Sequence, residues 1–248
     1  MRRLRKALGR ILLTVLLLVL SVLLAVGVVL GWQGHTLYKE AVETAPIGSM
    51  YDRIRARGEF VTFDQLPGTY VDAVISVEDR RFAVHHGIDP ISIGRALVID
   101  VKTHSLAEGG STLTQQLAKN ELFTQEKRMA RKAAEMFAAL DIEKNYSKQQ
   151  IFEMYANTIY FGSGYYGIAQ AAQGYFGKTP AQLTDAEAVV LAGLPNAPSL
   201  YSPKGNPALA LKRTKVVLDR MTEAKKLTPA EADVLEAEIT ALPVMAQP

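Results

Sequence analysis

The stretch Lys127–Lys144, KRMARKAAEMFAALDIEK, decides the fold class. Arg128, Arg131, Lys132 and Glu135 recur at three- and four-residue steps, so they share one face of a helix. Met129, Ala133, Met136 and Leu140 share the opposite, apolar one. Working outward, the same period continues almost throughout, and several helix starts carry capping boxes, in which a hydroxyl and a Glu or Gln three residues on satisfy free amides. Thr112 with Gln115, Ser147 with Gln150, Thr184 with Glu187 and Thr228 with Glu231 all fit, and Pro229 suits a first helical position. Gly162, Gly164, Gly177, Pro195 and Pro203 mark breaks. No alternating strand pattern of any length stands out. The expectation is a mostly α domain from about residue 61 onward.

The N-terminal region is different. Ile11–Leu30 is twenty residues without a charge, and as a helix it would be about 30 Å long, the thickness of a bilayer's hydrocarbon layer. Arg2, Arg3, Arg5, Lys6 and Arg10 precede it, so the N-terminus is expected in the cytoplasm and the bulk of the chain outside. A cleaved signal peptide is the competing reading; it would have a shorter apolar core and a small-residue cleavage site, and none is evident after Gly31. The expected organisation is a basic tail (1–10), a transmembrane anchor (11–31), a stalk or entry segment (32–60) and one domain (61–248). Removing the tail's five basic residues turns the net charge from +3 to −2, so the outer domain has no broad basic field for nucleic acid. The absence of cysteine excludes disulfides and thiolate metal sites.

Three segments are candidates for chemistry. In AVISVEDRRFAVHHGID, Glu78 and Asp79 follow an apolar helical run. A carboxylate at such an edge is partly desolvated and usable as a general acid or base; a surface glutamate paired with Arg80 or Arg81 is the plainer reading. His85 and His86 are adjacent rather than one helical turn apart, which favours capping or packing over metal ligation. In GGSTLTQQLAKN, a glycine turn feeds a capped helix with Thr112, Gln115, Gln116 and Lys119 on one side and Leu113 and Leu117 on the other. That polar side suits an anionic or sugar-bearing ligand, or simply faces water. In the third segment, three cations exceed what Glu135 needs; a pyrophosphate would balance them, as would a solvated, salt-bridged face.

Together these segments resemble the glycosyltransferase domain of class A penicillin-binding proteins and the monofunctional peptidoglycan glycosyltransferases (glycosyltransferase family 51). The first signature, Glu-Asp-x-x-Phe-x-x-His-x-Gly, is met by Glu78, Asp79, Phe82, His85 and Gly87; the second by Gly109 to Asn120; the third by Arg131, Lys132 and Glu135. The fourth, Ile-Leu-Glu-x-Tyr-x-Asn, resembles Ile151, Phe152, Glu153, Tyr155 and Asn157. AAQGYFGK and LAGLPNAPSLYSP extend the likeness, which runs from about Thr62 to Met221. Two positions depart from it. Lys127 stands where many relatives have arginine, which costs a bidentate grip on phosphate, and Ala134 stands where some have lysine.

The resemblance implies a lysozyme-like helical lobe with a small membrane-associated subdomain about Ile88–Val101; an ordinary core helix is the other reading of that segment. It implies polymerisation of lipid II onto a lipid-linked glycan chain, with Glu78 as general base and Glu135 as the second catalytic carboxylate. Lys119, Lys127, Arg128, Arg131 and Lys132 would neutralise pyrophosphate, while Thr112, Gln115, Gln116 and Asn120 would bind sugar or phosphate oxygens. Glu135 would orient those cations or hold a divalent cation, Mg or Mn. The expected location is the bacterial inner membrane, single-pass, with other cell-wall synthesis or division proteins as candidate partners. Nothing after Pro248 leaves room for a transpeptidase domain, so a single activity is expected. Two rivals stand beside this reading: a glycan-cleaving lysozyme-like or lytic enzyme, and a non-catalytic membrane-anchored scaffold.

Overall fold

A computed structural model describes residues 2–103, 110–123 and 129–246, with the side chains of 2–6, 8 and 97–103 left aside. The elements are α1 (Arg2–Thr44), α2 (Met50–Arg55), α3 (Gly68–Glu78), α4 (Pro90–Thr103), α5 (Leu113–Leu122) and α6 (Met129–Asn145). They continue with α7 (Lys148–Thr158), α8 (Ile168–Phe176), α9 (Asp185–Gly193), α10 (Pro198–Tyr201), α11 (Pro207–Glu223) and α12 (Pro229–Thr240). Among the described residues the only strand-like pairing is an isolated bridge between Tyr160 and Tyr166. The protein is mostly α.

Local chemistry sets the helix boundaries. All four expected capping boxes form, at the starts of α5, α7, α9 and α12. Helix α8 ends at Gly177 in the left-handed conformation (φ 66°), where glycine carries no Cβ penalty. Helix α9 is buried all round from Ala186 to Gly193 and forms the centre of the lobe. Around it, Tyr70 of α3, Leu113 and Leu117 of α5, Phe152 and Met154 of α7 and Val217 of α11 belong to one continuous core.

Helix α1 runs 43 residues without a break. Its apolar run lies exposed along its length, from Ile11 to Val29, as a helix solvated by lipid would. It is a membrane anchor that continues directly into the lobe. Over 32–60, expected as a stalk or entry segment, the chain packs onto the lobe rather than standing free of it. At Gly34 an added Cβ would stand 2.4 Å from the Ala133 Cβ, so α1 and α6 touch at backbone distance. Tyr38 then donates to Asp141 at 2.8 Å, and Ile47, Met50 and Ile54 are buried in the core. Apolar residues at 38, 42, 47, 50 and 54 give this segment a face to bury, so it packs.

In the segment expected to meet the membrane, α4 is capped by Asp89, which accepts from Ile91 N at 3.0 Å and Ser92 Oγ at 2.7 Å. Ile91 is 56% exposed and Ala96 is buried. The side chains of Leu97, Val98 and Ile99, on which that expectation also rested, lie outside the described residues.

Candidate active site

Helix α3 ends at Glu78, and the backbone of Asp79 leaves the helix in an extended conformation (φ −152°). The two adjacent carboxylates therefore diverge. Asp79 turns inward and is 6% exposed. Its Oδ2 accepts from Leu113 N, at the start of α5, at 2.9 Å and lies 2.8 Å from His85 Nε2. Gly87 N donates to His85 Nδ1 at 3.1 Å, so the ring proton sits on Nε2 and points at Asp79. Gly87 has φ +91°, and a Cβ there would meet the Ala139 carbonyl oxygen at 2.7 Å. Thr112 Oγ1 donates to Gly87 O at 2.7 Å. The first signature is thus a clasp that holds the end of α3 against the start of α5. Neither His85 nor the exposed His86 takes part in a metal-ligand cluster among the described residues.

Glu78 turns the other way, into a cleft of about 580 Å³ that it shares with Ser111, Gln116, Lys119 and Arg213. Gln116 Nε2 donates to Glu78 Oε2 at 3.0 Å, and Arg213 Nη2 donates to Oε1 at 3.0 Å. Arg213, from α11, is braced by Gly193 O at 3.1 Å and by the Tyr201 ring at 5.7 Å. Beneath the cleft, Tyr70 and Tyr155 are fully buried, and their hydroxyls are pushed far above the usual tyrosine value, first by burial and then by the charge of Glu78.

Glu135 is 2% exposed and does not open onto the cleft. Arg131 Nε lies 3.2 Å from its Oε1, and Lys132 Nζ donates to Oε2 at 2.9 Å. Lys132 Nζ also donates to Ser111 Oγ, in the cleft wall, at 2.6 Å. Lys119 joins the two glutamates: burial presses its ammonium below the ordinary 10.5, Glu135 and Glu78 pull it back up, and Lys132 and Arg131 press it down. It feels both carboxylates and the α6 cations. The described walls of the cleft hold Arg80, Arg95, Lys119, Arg213 and Arg220 with Glu78 and Asp79; Arg80 and Arg220 both bond Glu223, at 2.6 and 3.0 Å, and Arg213 bonds Glu78, which leaves Lys119 and Arg95 without a carboxylate partner among the described residues.

Four expectations change. Gln115 is 1% exposed and faces the protein, because its Oε1 accepts from Thr112 N at 2.9 Å to close the capping box. Thr112 lines the cleft, but its hydroxyl accepts from Gln115 N and donates to Gly87 O, a helix cap rather than a ligand contact. Asn120 lines a different cavity, one residue further round α5 than Lys119. The divalent-cation role of Glu135 does not fit its surroundings, since both carboxylate oxygens already face cations that would repel a metal ion. Lys127 and Arg128 lie outside the described residues. Conversely, Arg213 carried no local sequence signal; only its place inside the resembling stretch could have pointed to it. Ala134, where some relatives have lysine, is fully buried beside Gly34.

Residues 44–222 match the family described as Transglycosylase. The chain is 43% identical over 185 residues to penicillin-binding protein 1A of Aquifex aeolicus, covering 74% of this chain and 26% of that one. It is 44% identical over 188 residues to penicillin-binding protein 1A/1B of Bacillus subtilis (75% and 20%), and 44% identical over 178 residues to penicillin-binding protein 1A of Escherichia coli (72% and 21%). It thus spans about a quarter or less of the length of these relatives. The crystal structure of penicillin-binding protein 1A from Haemophilus influenzae aligns over 51% of this chain and 16% of that one at 33% identity, with a TM-score of 0.36. With the matched segment enclosing the clasp, the cleft and the α6 cations, the chain belongs to the transglycosylase family, the peptidoglycan glycosyltransferase domain of class A penicillin-binding proteins.

Proposed function

We propose that the chain polymerises lipid II into β-1,4-linked glycan strands, transferring a lipid-linked glycan onto the 4-hydroxyl of an incoming lipid II and releasing undecaprenyl diphosphate. The observation that carries this reading is Glu78 in a cleft where Lys119 and Arg95 stand without a carboxylate partner among the described residues. A neutral glycan to be cleaved by water has no use for that surplus, whereas a departing pyrophosphate does.

In this mechanism Glu78 takes the acceptor hydroxyl's proton as the oxygen attacks the donor's anomeric carbon from the face opposite the pyrophosphate, so that α becomes β. The anomeric C–O bond breaks, and its electron pair leaves on the pyrophosphate. Lys119 meets that growing charge, with Lys132 and Arg131 behind it. Glu135 keeps those α6 side chains from splaying into solvent, as a positioning residue. Gln116 and Arg213 hold the Glu78 carboxylate in place. No step is routed through a metal. The catalytic lobe lies on the outer face of the cytoplasmic membrane, with the basic tail inside, so anchor and substrates share one bilayer.

The test is product formation from labelled lipid II by the full chain. Glu78→Gln should fold and bind lipid yet make no polymer, while finished cell wall should stay intact with either protein. Near-normal polymer from Glu78→Gln would remove Glu78 as base. Release of fragments from finished cell wall would favour the lytic reading.

A further inference from the structure

A second cavity, of about 860 Å³, lies where α5 and the turn after α7 meet the segment around Phe60. It takes up neither Glu78 nor any cleft cation. The turn that builds it is tightly specified. Tyr160 and Tyr166 pair across it, Phe161 N donates to Tyr165 O at 2.9 Å, and Gly162, Gly164 and Gly167 all have positive φ. At Gly167 a Cβ would come within 2.5 Å of the Asn157 carbonyl oxygen, so only glycine closes this turn. The product is a pair of tyrosine rings in tilted contact, 4.7 Å between centroids and 34° between planes, with Tyr166 59% exposed. A ring that serves the core is covered. This one is fixed in place and left open.

The polar groups around the rings select among ligands. Among the described wall residues the only cation, Arg57, is spent on Glu121 through two hydrogen bonds of 2.8 and 2.7 Å, and Glu59 has no cation partner among the described residues, so an anion is disfavoured. The remaining polar groups are amides. Asn120 lines the cavity, and Gln170 accepts from Tyr166 N at 3.1 Å through Oε1, which leaves Nε2 to donate. Flat aromatic faces beside neutral donors and acceptors suit a ligand with alternating C–H faces and hydroxyl or acetamido edges, that is, a neutral saccharide. The cavity and the cleft share a turn of α5: Lys119 lines the cleft and Asn120 the cavity.

We propose that this cavity is a remote saccharide subsite that holds sugar units of the glycan strand away from the reacting bond. The proposal rests on the transferase reading for the origin of the sugar, but not for its binding.

The experiment titrates the full chain in detergent with a tetramer of β-1,4-linked N-acetylglucosamine, followed by calorimetry. The wild type should bind it, Tyr166→Ala and Asn120→Ala should each weaken binding by about tenfold or more, and inorganic pyrophosphate should not displace it. Circular dichroism and melting should be unchanged for Tyr166→Ala, whose ring is mostly exposed. On lipid II, Tyr166→Ala should give shorter strands at an initial transfer rate within about twofold of wild type. No binding by the wild type, binding indifferent to both substitutions, or displacement by pyrophosphate would each overturn the subsite, as would preference for a stem pentapeptide over the sugar tetramer. If the wild type fails to polymerise lipid II, the transferase reading falls while the titration still decides the subsite.

Discussion

Arg213 and Glu78, separated by 135 positions in the chain, meet at 3.0 Å inside the cleft. The arginine side chain is 12% exposed and the glutamate 9%, so the pair is shielded from solvent. The carboxylate reaches this place because α3 and α11 both pack on α9, and Gly193 lets the arginine stem pass, with its Cγ 3.3 Å from where a Cβ would be. The guanidinium then fixes which way the carboxylate faces.

A base misplaced by an ångström loses much of its advantage, so Arg213→Ala should lower kcat by about a hundredfold with the protein still folded. Arg213→Lys restores charge but cannot bond both Gly193 O and Glu78 through one planar group, and should fall between the two. Steady-state kinetics with circular dichroism would check this. An Arg213→Ala enzyme with wild-type kcat would show that the pair is only structural.

Lys119 gives a pH signature. Burial, the largest influence, places its folded value below the ordinary lysine 10.5, so the folded state sheds this proton at a lower pH than the unfolded chain does. The charged form is therefore disfavoured by folding at neutral pH, and that penalty is relieved as pH rises through the folded value toward 10.5. Activity should move the opposite way, with kcat/KM falling on the alkaline side as the anion-binding charge is lost. Lys119→Arg, which keeps its charge, should shift that limb to higher pH. Lys119→Met should lose about a hundredfold in activity without losing melting temperature, because it removes a charge that folding disfavours. A pH–rate profile that is the same for lysine and arginine would exclude this residue from the anion's path.

What the sequence made legible follows the range of the interactions involved. Capping boxes are settled within four residues, and all four form as read. The same locality exposes an error of double use: Gln115 was read both as the third residue of a box and as a ligand contact, and one side chain cannot do both. The helical wheel of α6 placed Arg131, Lys132 and Glu135 together correctly, yet Met129 and Leu140 on its apolar face are 74% and 39% exposed. The face that α1 covers is set instead by Ala130, Ala133 and Phe137. Arg213 was illegible because nothing near it in the chain distinguishes it from a solvated helix arginine. Periodicity says which face turns inward, not what it meets there.

The clasp around Asp79 should be a stability element rather than a catalytic one. Asp79→Asn keeps the shape but takes away the charge that accepts from both His85 Nε2 and Leu113 N. Hydrogen bonds to a buried charge are each worth about 1.5–3 kcal/mol. For a lobe of this size a loss of about 2–3 kcal/mol lowers the melting temperature by roughly 4–12 °C. Calorimetry of the variant should show that drop, and below its melting temperature it should still bind lipid substrate. A variant as stable as wild type would mean that the clasp is incidental.

In the proposed arrangement Gly34 sets the height of the site over the membrane. A glycine within a helix is unfavourable by about 0.5–1 kcal/mol relative to alanine, and here its use is contact: a Cβ would lie 2.4 Å from Ala133 Cβ and 2.9 Å from Ala130 O. Gly34 is four residues beyond Leu30, about 6 Å along the helix, so in the proposed arrangement, with 11–30 spanning the hydrocarbon layer, the turn of α6 that carries Arg131 and Lys132 would be held at the depth of a lipid pyrophosphate. Gly34→Leu should force α1 away from α6 and lower activity on lipid II in vesicles by about tenfold, since cleft and pyrophosphate no longer share a level. The chain's lack of cysteine makes the geometry directly measurable. His35 and Phe137 rings meet at 5.2 Å, so His35→Cys with Phe137→Cys should be joined by a short thiol-reactive cross-linker, and adding Gly34→Leu should prevent it. Efficient cross-linking in the leucine variant, with activity still lost, would show that the glycine acts by some route other than docking the anchor.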